Sequence, residues 1–268
     1  MEKLQKALER ARSQREAVIG NEAFAALHGA APSNPDAITY RRTRVVETEE
    51  GRLSEQRVIC GSFQEELADT FRILRTQVLA RLASQSHTTC AITSPHRGDG
   101  KTLTAVNLAT SIALDPKHTV LLVDADLRRP SLHEYFGIEA TCGLADHLLH
   151  DRPIADCLIN PGVPRLVLFP AGQALRQSSE VLSSPKMARL AQELKSRYPD
   201  RIVIYDLAPL LSSSDALTFL PHVEATLLVT REGRTKKADI LRAFELLQGV
   251  NVIGTVLNSS SMPFHHYY

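Results

Sequence analysis

The sequence predicts an α/β protein built on a mainly parallel sheet with helices covering both faces. Three observations carry this reading. Short apolar runs recur at 88–93 ("TTCAIT"), 119–123 ("TVLLV"), 165–169 ("RLVLF"), 202–205 ("IVIY"), 225–229 ("ATLLV") and 250–257 ("VNVIGTVL"). Helical patterns fall between most of them, and the runs are continuously apolar rather than alternating. Strands read that way when neither face of the sheet meets water. Sheets of this kind bind ligands beyond the carboxyl ends of their strands.

The helices follow from spacing and capping residues. A long one fits 63–84, with Phe71, Leu74, Val78 and Leu79 on one side. Another fits 101–114. A third opens at Ser184-Pro185, a capping serine followed by a first-turn proline. The last begins near Thr235, and its Ile240, Leu241, Phe244 and Leu247 are expected to face inward. Upstream, Leu4, Ala7, Leu8 and Ala11 recur at helical spacing within 2–17, so 1–27 reads as an N-terminal helical segment. Its narrow apolar stripe suits a solvated helix or a light docking contact. Residues 28–56 are rich in Pro, Gly, Asn and Asp with little periodicity and read as a flexible linker. The "RRTR" within that stretch is offset by the "ETEE" that follows.

The charge balance narrows the function. Thirty-one basic and 30 acidic side chains leave +1, without the basic excess of a nucleic-acid binder. No apolar run approaches the ~20 residues that cross a bilayer. The charged start "MEKLQKALER" lacks the apolar middle of a signal peptide, so a cytoplasmic location is expected. Cysteines stand at 60, 90, 142 and 157, with no pair at metal-ligand spacing; Cys60 and Cys90 read as small buried hydrophobes.

Three motifs carry chemistry, each where an apolar strand stops. Residues 91–106, "AITSPHRGDGKTLTAV", fit a phosphate loop of the form G-x-x-x-x-G-K-[ST], except that Pro95 holds the first glycine position. Gly98 and Gly100 let the backbone turn with N–H groups inward. Lys101 can reach the terminal phosphates, and the Thr102 hydroxyl can ligate Mg²⁺. The strand before and helix after give the pattern its weight. "VLLVDADLRRP" places Asp124 and Asp126 together, two carboxylates that repel unless a cation lies near. "IVIYDLAP" ends a third strand in Asp206. A lysine, a hydroxyl and three carboxylates suit a Mg²⁺-nucleotide, so the fold is expected to be P-loop NTPase-like.

With these motifs in order, residues 57–258 resemble the cytoplasmic domain of the bacterial tyrosine kinase (BY-kinase) family, which works with exopolysaccharide and capsule chain-length machinery. The family's Walker A, Walker A′ (D-x-D-x-R) and Walker B (D-x-x-P) motifs correspond to "TSPHRGDGKT", "DADLR" and "DLAP". "RPSLHEYFGIEATCGLADHLL", "SEVLSSPKM" and "VIGTVLN" are also family-like, and "EKLQKALERAR" resembles the leader helix of the subgroup beside exosortase-linked polysaccharide loci. The resemblance implies ATP and Mg²⁺ as cofactors. Gly98, Asp99, Gly100, Lys101, Thr102 and Leu103 would bind nucleotide, with Asn258 near the adenine. Thr102, Asp126 and Asp206 would hold the metal. Asp124 would take the proton of the attacking hydroxyl, though the two A′ carboxylates could exchange roles, and Arg128 would steady the A′ loop. The sequence departs from the family at Arg97, at the alanine of "DLAP" and in "GQALRQSSEVL", where prolines are frequent.

The resemblance also implies trans-phosphorylation of a tyrosine tail. Here the tail, 259–268, holds only Tyr267 and Tyr268. Nine residues separate Asn258 from Tyr267, a reach of at most ~30 Å, enough for an adjacent active site. The family's ring interface, E-x-x-R-x-x-R, corresponds here to Asp69, Arg72 and Arg75, a departure in that the shorter aspartate stands in the glutamate position. The expected partners are a membrane-anchored polysaccharide chain-length (co-polymerase) protein, which would hold the chain at the inner membrane, and further copies in a homo-oligomeric ring; no nucleic acid is expected. Two other functions fit the motifs: a nucleotide-dependent assembly module with little kinase activity, and a partitioning-type ATPase. The latter class needs a lysine five residues before Lys101, where this chain has His96.

Overall fold

The computed structural model describes residues 43–48, 50–59, 65–198 and 200–261. The N-terminal helical segment, residues 28–42 of the linker stretch, Cys60 and the tail tyrosines lie outside the described residues. Eight strands form one sheet: β1 (Arg44–Val45), β2 (Thr89–Thr93), β3 (Thr119–Asp124), β4 (Ile159–Asn160), β5 (Leu166–Phe169), β6 (Arg201–Asp206), β7 (Ala225–Arg231) and β8 (Val252–Asn258). Their order is β1-β4-β5-β3-β6-β2-β7-β8, and every pairing is parallel except β4 with β5. Consequently β3, β6 and β2, the three strands that end in motifs, lie side by side.

The described helices are α1 (Glu50–Glu55), α2 (Glu65–Ser84), α3 (Lys101–Ala113), α4 (Leu132–Tyr135), α5 (Leu144–His150), α6 (Ile154–Cys157), α7 (Ser178–Leu182), α8 (Pro185–Ser196), α9 (Asp215–Phe219) and α10 (Lys237–Leu246). Alternate strand residues point to opposite faces, so two cores form. Cys90, Ile92, Val120, Leu122, Ile202 and Ile204 pack with Val78 and Leu82 of α2 and with the buried side of α3. Ala91, Leu121, Val123, Val203 and Tyr205 pack with α5, α8, α9 and Ala243 of α10. Helix α8 starts as its sequence predicts, with Ser184 Oγ accepting from Met187 N at 3.2 Å and Pro185 in the first turn. Burial pushes the Cys90 thiol up to about 12, which suits a packed and unreactive side chain. Cys142 and Cys157 are joined by a disulfide, their Cα atoms 5.0 Å apart.

Two expectations are corrected here. The stretch read as linker does not stay outside the fold up to residue 56. Arg44–Val45 pair with Ile159–Asn160, Thr48 Oγ1 donates to Pro161 O at 2.9 Å, and Leu53 of α1 is buried in the first core. Asn107 on α3 fixes the end of this arm, accepting from Ile59 N at 2.8 Å and donating to Arg57 O at 2.9 Å. In α10 only Ala243 and the following Leu247 turn fully inward. Leu241 is 54% exposed and Phe244 40%, because this helix covers the sheet near its β8 edge and only one stripe of it meets the core.

Candidate nucleotide site

The chain leaves β2 at Thr93, turns through residues 94–100 and enters α3 at Lys101. Gly98 and Gly100 adopt φ of +84° and +101°, backbone that side chains rarely tolerate. Pro95 has no N–H to give, but its carbonyl accepts from Leu211 N at 3.1 Å, and Ser94 O accepts from Leu210 N at 2.8 Å. Asp99 is fully buried, and its Oδ2 accepts from His96 N at 2.8 Å. The loop without its first glycine is thus pinned to the segment that follows the Asp206 motif.

Lys101, Asp126 and Asp206 meet at the head of α3. Lys101 Nζ stands 3.0 Å from Asp126 Oδ2 and 3.3 Å from Asp206 Oδ1, and donates to Thr102 Oγ1 at 3.1 Å. Thr102 Oγ1 donates to Asp206 Oδ2 at 2.6 Å. Asp124 sits beside Asp206 in register on the neighbouring strand. Its Oδ1 accepts from Asp126 N at 3.2 Å, and its Oδ2 from Ser131 N and Leu132 N, each at 3.1 Å. Burial first, then the Asp206 charge, pushes the Asp124 carboxyl up to about 7. Burial also raises Asp206, against the pull of Lys101. For Lys101 burial acts downward, but Asp206 and Asp126 outweigh it and hold the ammonium charged.

Among the described residues no three His, Cys, Asp or Glu side chains converge as a closed metal cage. Mg²⁺ does not need one. It takes hard oxygen donors, usually one or two carboxylates plus phosphate oxygens and water, and Thr102 Oγ1, Asp126 and Asp206 supply such oxygens beside one cation. The donor set fits.

Around this centre lie side chains that the motifs did not reveal. Asp215 at the start of α9 is fully buried; it accepts from Ser178 Oγ at 2.5 Å and Ser179 Oγ at 2.6 Å and faces Arg128 Nε at 3.5 Å. The A′ loop is also tied by Leu175 N donating to Leu127 O at 2.8 Å. Tyr135 is close enough to the centre for Asp206, after burial, to raise its hydroxyl pKa while Lys101 opposes. Asn258 does not present a free amide. Its Nδ2 donates to Asp99 O at 2.9 Å and its Oδ1 accepts from Ser259 N at 2.9 Å. Leu103 continues α3 behind the loop. On α2, Asp69 and Arg72 pair with each other on the surface, but Arg75 donates to Ser111 O at 2.8 Å, inside its own chain. His96 turns toward α10, with Nε2 3.2 Å from Asp239 Oδ2.

No protein-family model matches the chain. The tyrosine-protein kinase YwqD of Bacillus subtilis is 31% identical over 203 residues, covering 75% of this chain and 84% of YwqD. The chain belongs to the bacterial tyrosine-kinase family. EpsB of Ralstonia nicotianae, named for the same activity, is 32% identical over 201 residues, 74% of this chain. The succinoglycan biosynthesis transport protein ExoP of Rhizobium meliloti is 31% identical over 212 residues, 77% of this chain. The chain spans about a quarter (26%) of the length of each of those two. The solved kinase domain of the Escherichia coli tyrosine kinase ETK superposes with a TM-score of 0.68 at 26% identity, over 84% of this chain and 94% of that one. The BceF tyrosine kinase domain gives 0.67 at 28%, over 83% and 93%. In the mostly parallel sheet and its loop-to-helix site, the fold is that of these bacterial tyrosine-kinase domains. The septum site-determining protein MinD of Pyrococcus horikoshii shares the fold at 22% identity and a TM-score of 0.54.

Proposed function

We propose that the chain is an ATP- and Mg²⁺-dependent protein-tyrosine autokinase that regulates exopolysaccharide or capsule polymerisation and export. The observation that carries this is the placement of Lys101 Nζ between Asp126 and Asp206, with Thr102 hydrogen-bonded to the latter, at the mouth of a loop-to-helix turn. Lys101 turns from the carboxylates to the β- and γ-phosphates as nucleotide enters, and Gly98, Asp99, Gly100, Thr102 and Leu103 supply backbone N–H groups at the loop and helix start. Thr102, Asp126 and Asp206 would hold Mg²⁺, whose positive charge would offset that of the transferring phosphoryl group. The tyrosine oxygen forms a bond to the γ-phosphorus, the bond from that phosphorus to the bridging oxygen breaks, and ADP leaves with the electron pair. The phenolic proton goes to the A′ carboxylates. Asp124, with its carboxyl near 7, has the basicity for that step, and Arg128, held by Asp215, keeps the A′ loop in place.

The acceptors are Tyr267 and Tyr268 of a neighbouring copy in a homo-oligomeric ring whose contacts include Asp69 and Arg72. Two phosphates add roughly −3 to −4 of charge at neutral pH and drive such a contact apart. A membrane-anchored chain-length protein would bring the ring to the inner membrane. The test is mass spectrometry of the intact chain incubated with MgATP: mapped phosphotyrosine that disappears in Lys101→Ala supports the kinase, and equal modification of both proteins sinks it.

A second reading keeps the nucleotide site but makes assembly its output, with phosphorylation minor. The exposed Leu241 and Phe244 of α10 and Leu257 of β8 favour it, since solvated apolar side chains grouped near one sheet edge mark an interaction surface. Unchanged polysaccharide output after deleting 264–268, with ATP binding intact, would select this reading. A partitioning ATPase is disfavoured, because His96 occupies the position of that class's lysine and pairs with Asp239 instead.

A further inference from the structure

A phosphate loop works through backbone N–H groups that converge on one point. The described peptide bonds are trans, so an inward N–H obliges the carbonyl of the preceding residue to point outward. Three successive outward carbonyls of this loop are each taken by a side chain from the far ends of β7 and β8. Arg97 O accepts from Arg234 Nη2 at 3.0 Å, Gly98 O from Arg231 Nη1 at 3.1 Å, and Asp99 O from Asn258 Nδ2 at 2.9 Å. The corresponding N–H groups are those of Gly98, Asp99 and Gly100.

The braces are themselves fixed. Arg231 and Asn258 are register partners at the ends of β7 and β8, and Glu232 N donates to Asn258 O at 3.0 Å. Arg231 N donates to Thr235 Oγ1 at 2.8 Å, and Thr235 N returns to Arg231 O at 2.9 Å, closing the turn that carries Arg234. The loop glycines match these side chains. A Cβ on Gly98 would lie 2.6 Å from Arg234 Nη1, and one on Gly100 would lie 1.9 Å from Asn258 Nδ2. Both glycines therefore serve close approach as well as positive φ.

We infer that Arg231, Arg234 and Asn258 are positioning residues that hold the loop's N–H groups toward phosphate, in a loop where Pro95 contributes no N–H of its own. The inference rests on the nucleotide-binding reading above. It also gives Asn258 a role different from an adenine contact: a brace acts on every ligand that carries the phosphates, whereas an adenine contact acts only on the nucleoside.

Calorimetric titration of the full chain with MgATP and, separately, with Mg-pyrophosphate tests it. Arg231→Ala/Arg234→Ala and Asn258→Ala are each expected to weaken both ligands by the same factor, about tenfold for the loss of one or two exposed or half-buried hydrogen bonds. Arg231→Lys/Arg234→Lys keeps donors and is expected to recover part of the loss, which general destabilisation would not show. Undiminished pyrophosphate binding in the alanine variants, with or without weaker ATP binding, overturns the inference. If the wild type binds neither ligand, the nucleotide reading falls and this one with it. If wild type binds and the double alanine variant does not fold, the lysine pair and Asn258→Ala decide by the same two ligands.

Discussion

Asp124 and Asp206 end adjacent parallel strands as direct register partners, both fully buried. Two carboxylates so placed cannot both be charged cheaply in a dry site. The chain answers with Lys101, which lies between Asp206 and Asp126, and with a proton that Asp124 holds up to about 7. On the proposed function this arrangement would accept a divalent cation and polyphosphate, and its charge state sets measurable stability effects.

The raised Asp124 value fixes the sign of a pH effect. A carboxyl whose pKa rises on folding binds its proton more tightly in the folded chain. Its contribution is full below the unfolded value near ~4 and is lost as pH rises through about 7. His118 and His222 are lowered by burial and push the opposite way, so the comparison is with Asp124→Asn. Between pH 5 and 8, urea denaturation of the nucleotide-free proteins should show the wild type losing stability relative to the variant. A constant difference across that window contradicts the burial argument.

Removing the cation should reveal the cost of the carboxylates. Lys101→Ala leaves Asp126 and Asp206 without their counter-charge, and at pH 8 this is expected to destabilise the chain by roughly 3–5 kcal/mol. At pH 5 the loss should shrink, because burial raises the Asp206 carboxyl and Lys101 no longer opposes that rise, so it takes up a proton more readily. Denaturant midpoints at both pH values check this.

The A′ carboxylates should separate by kinetics. Asp126→Asn removes an oxygen proposed for the metal, so more Mg²⁺ should restore part of the phosphorylation rate. Asp124→Asn removes the proposed proton acceptor and should lose about 10²–10⁴-fold in rate with no rescue by Mg²⁺. Rescue of Asp124→Asn by the metal would exchange the two assignments.

Gly100→Ala and Gly233→Ala form a matched pair. Both positions have positive φ, but a Cβ at Gly233 meets nothing within 4 Å, whereas at Gly100 it collides with Asn258. The first should weaken MgATP binding by at least about tenfold, and the second should cost only the backbone strain, about 1 kcal/mol of stability. Equal effects on binding would remove the close-packing argument.

Asn107 joins the arm at 57–59 to the helix that bears Lys101. Asn107→Leu leaves Ile59 N–H and Arg57 C=O unpaired and should cost about 1–3 kcal/mol in urea denaturation. A change below about 0.5 kcal/mol would show that water replaces the amide without penalty.

Much of this was legible because the relevant signals are local. Strands β2, β3, β5, β6, β7 and β8 fall on the apolar runs of the sequence, and Lys101, Asp124, Asp126 and Asp206 each follow such a run, so one reading placed most of the sheet and the charged centre. Strand β4, only Ile159–Asn160, is too short to show a pattern. Side chains that support the centre from far along the chain left no local mark. Asp215 meets Ser178 across 37 residues and Arg231 meets Gly98 across 133. Residues 43–56 of the arm read as linker because their strand is two residues long, too short to show any period, and Leu53 is buried by tertiary contact alone. Leu241 and Phe244 look like core in sequence because an apolar helical stripe does not say whether it faces its own sheet or something else.

The central claim is that the ends of β2, β3 and β6 hold a triphosphate with its metal ion. Calorimetric titration of the purified chain with MgATP tests it most directly. The account predicts saturable binding of one nucleotide per chain, weakened on the order of 100-fold in Lys101→Ala through loss of a charge-assisted contact. Failure of the wild type to saturate at millimolar MgATP, or equal affinity in the variant, would contradict it.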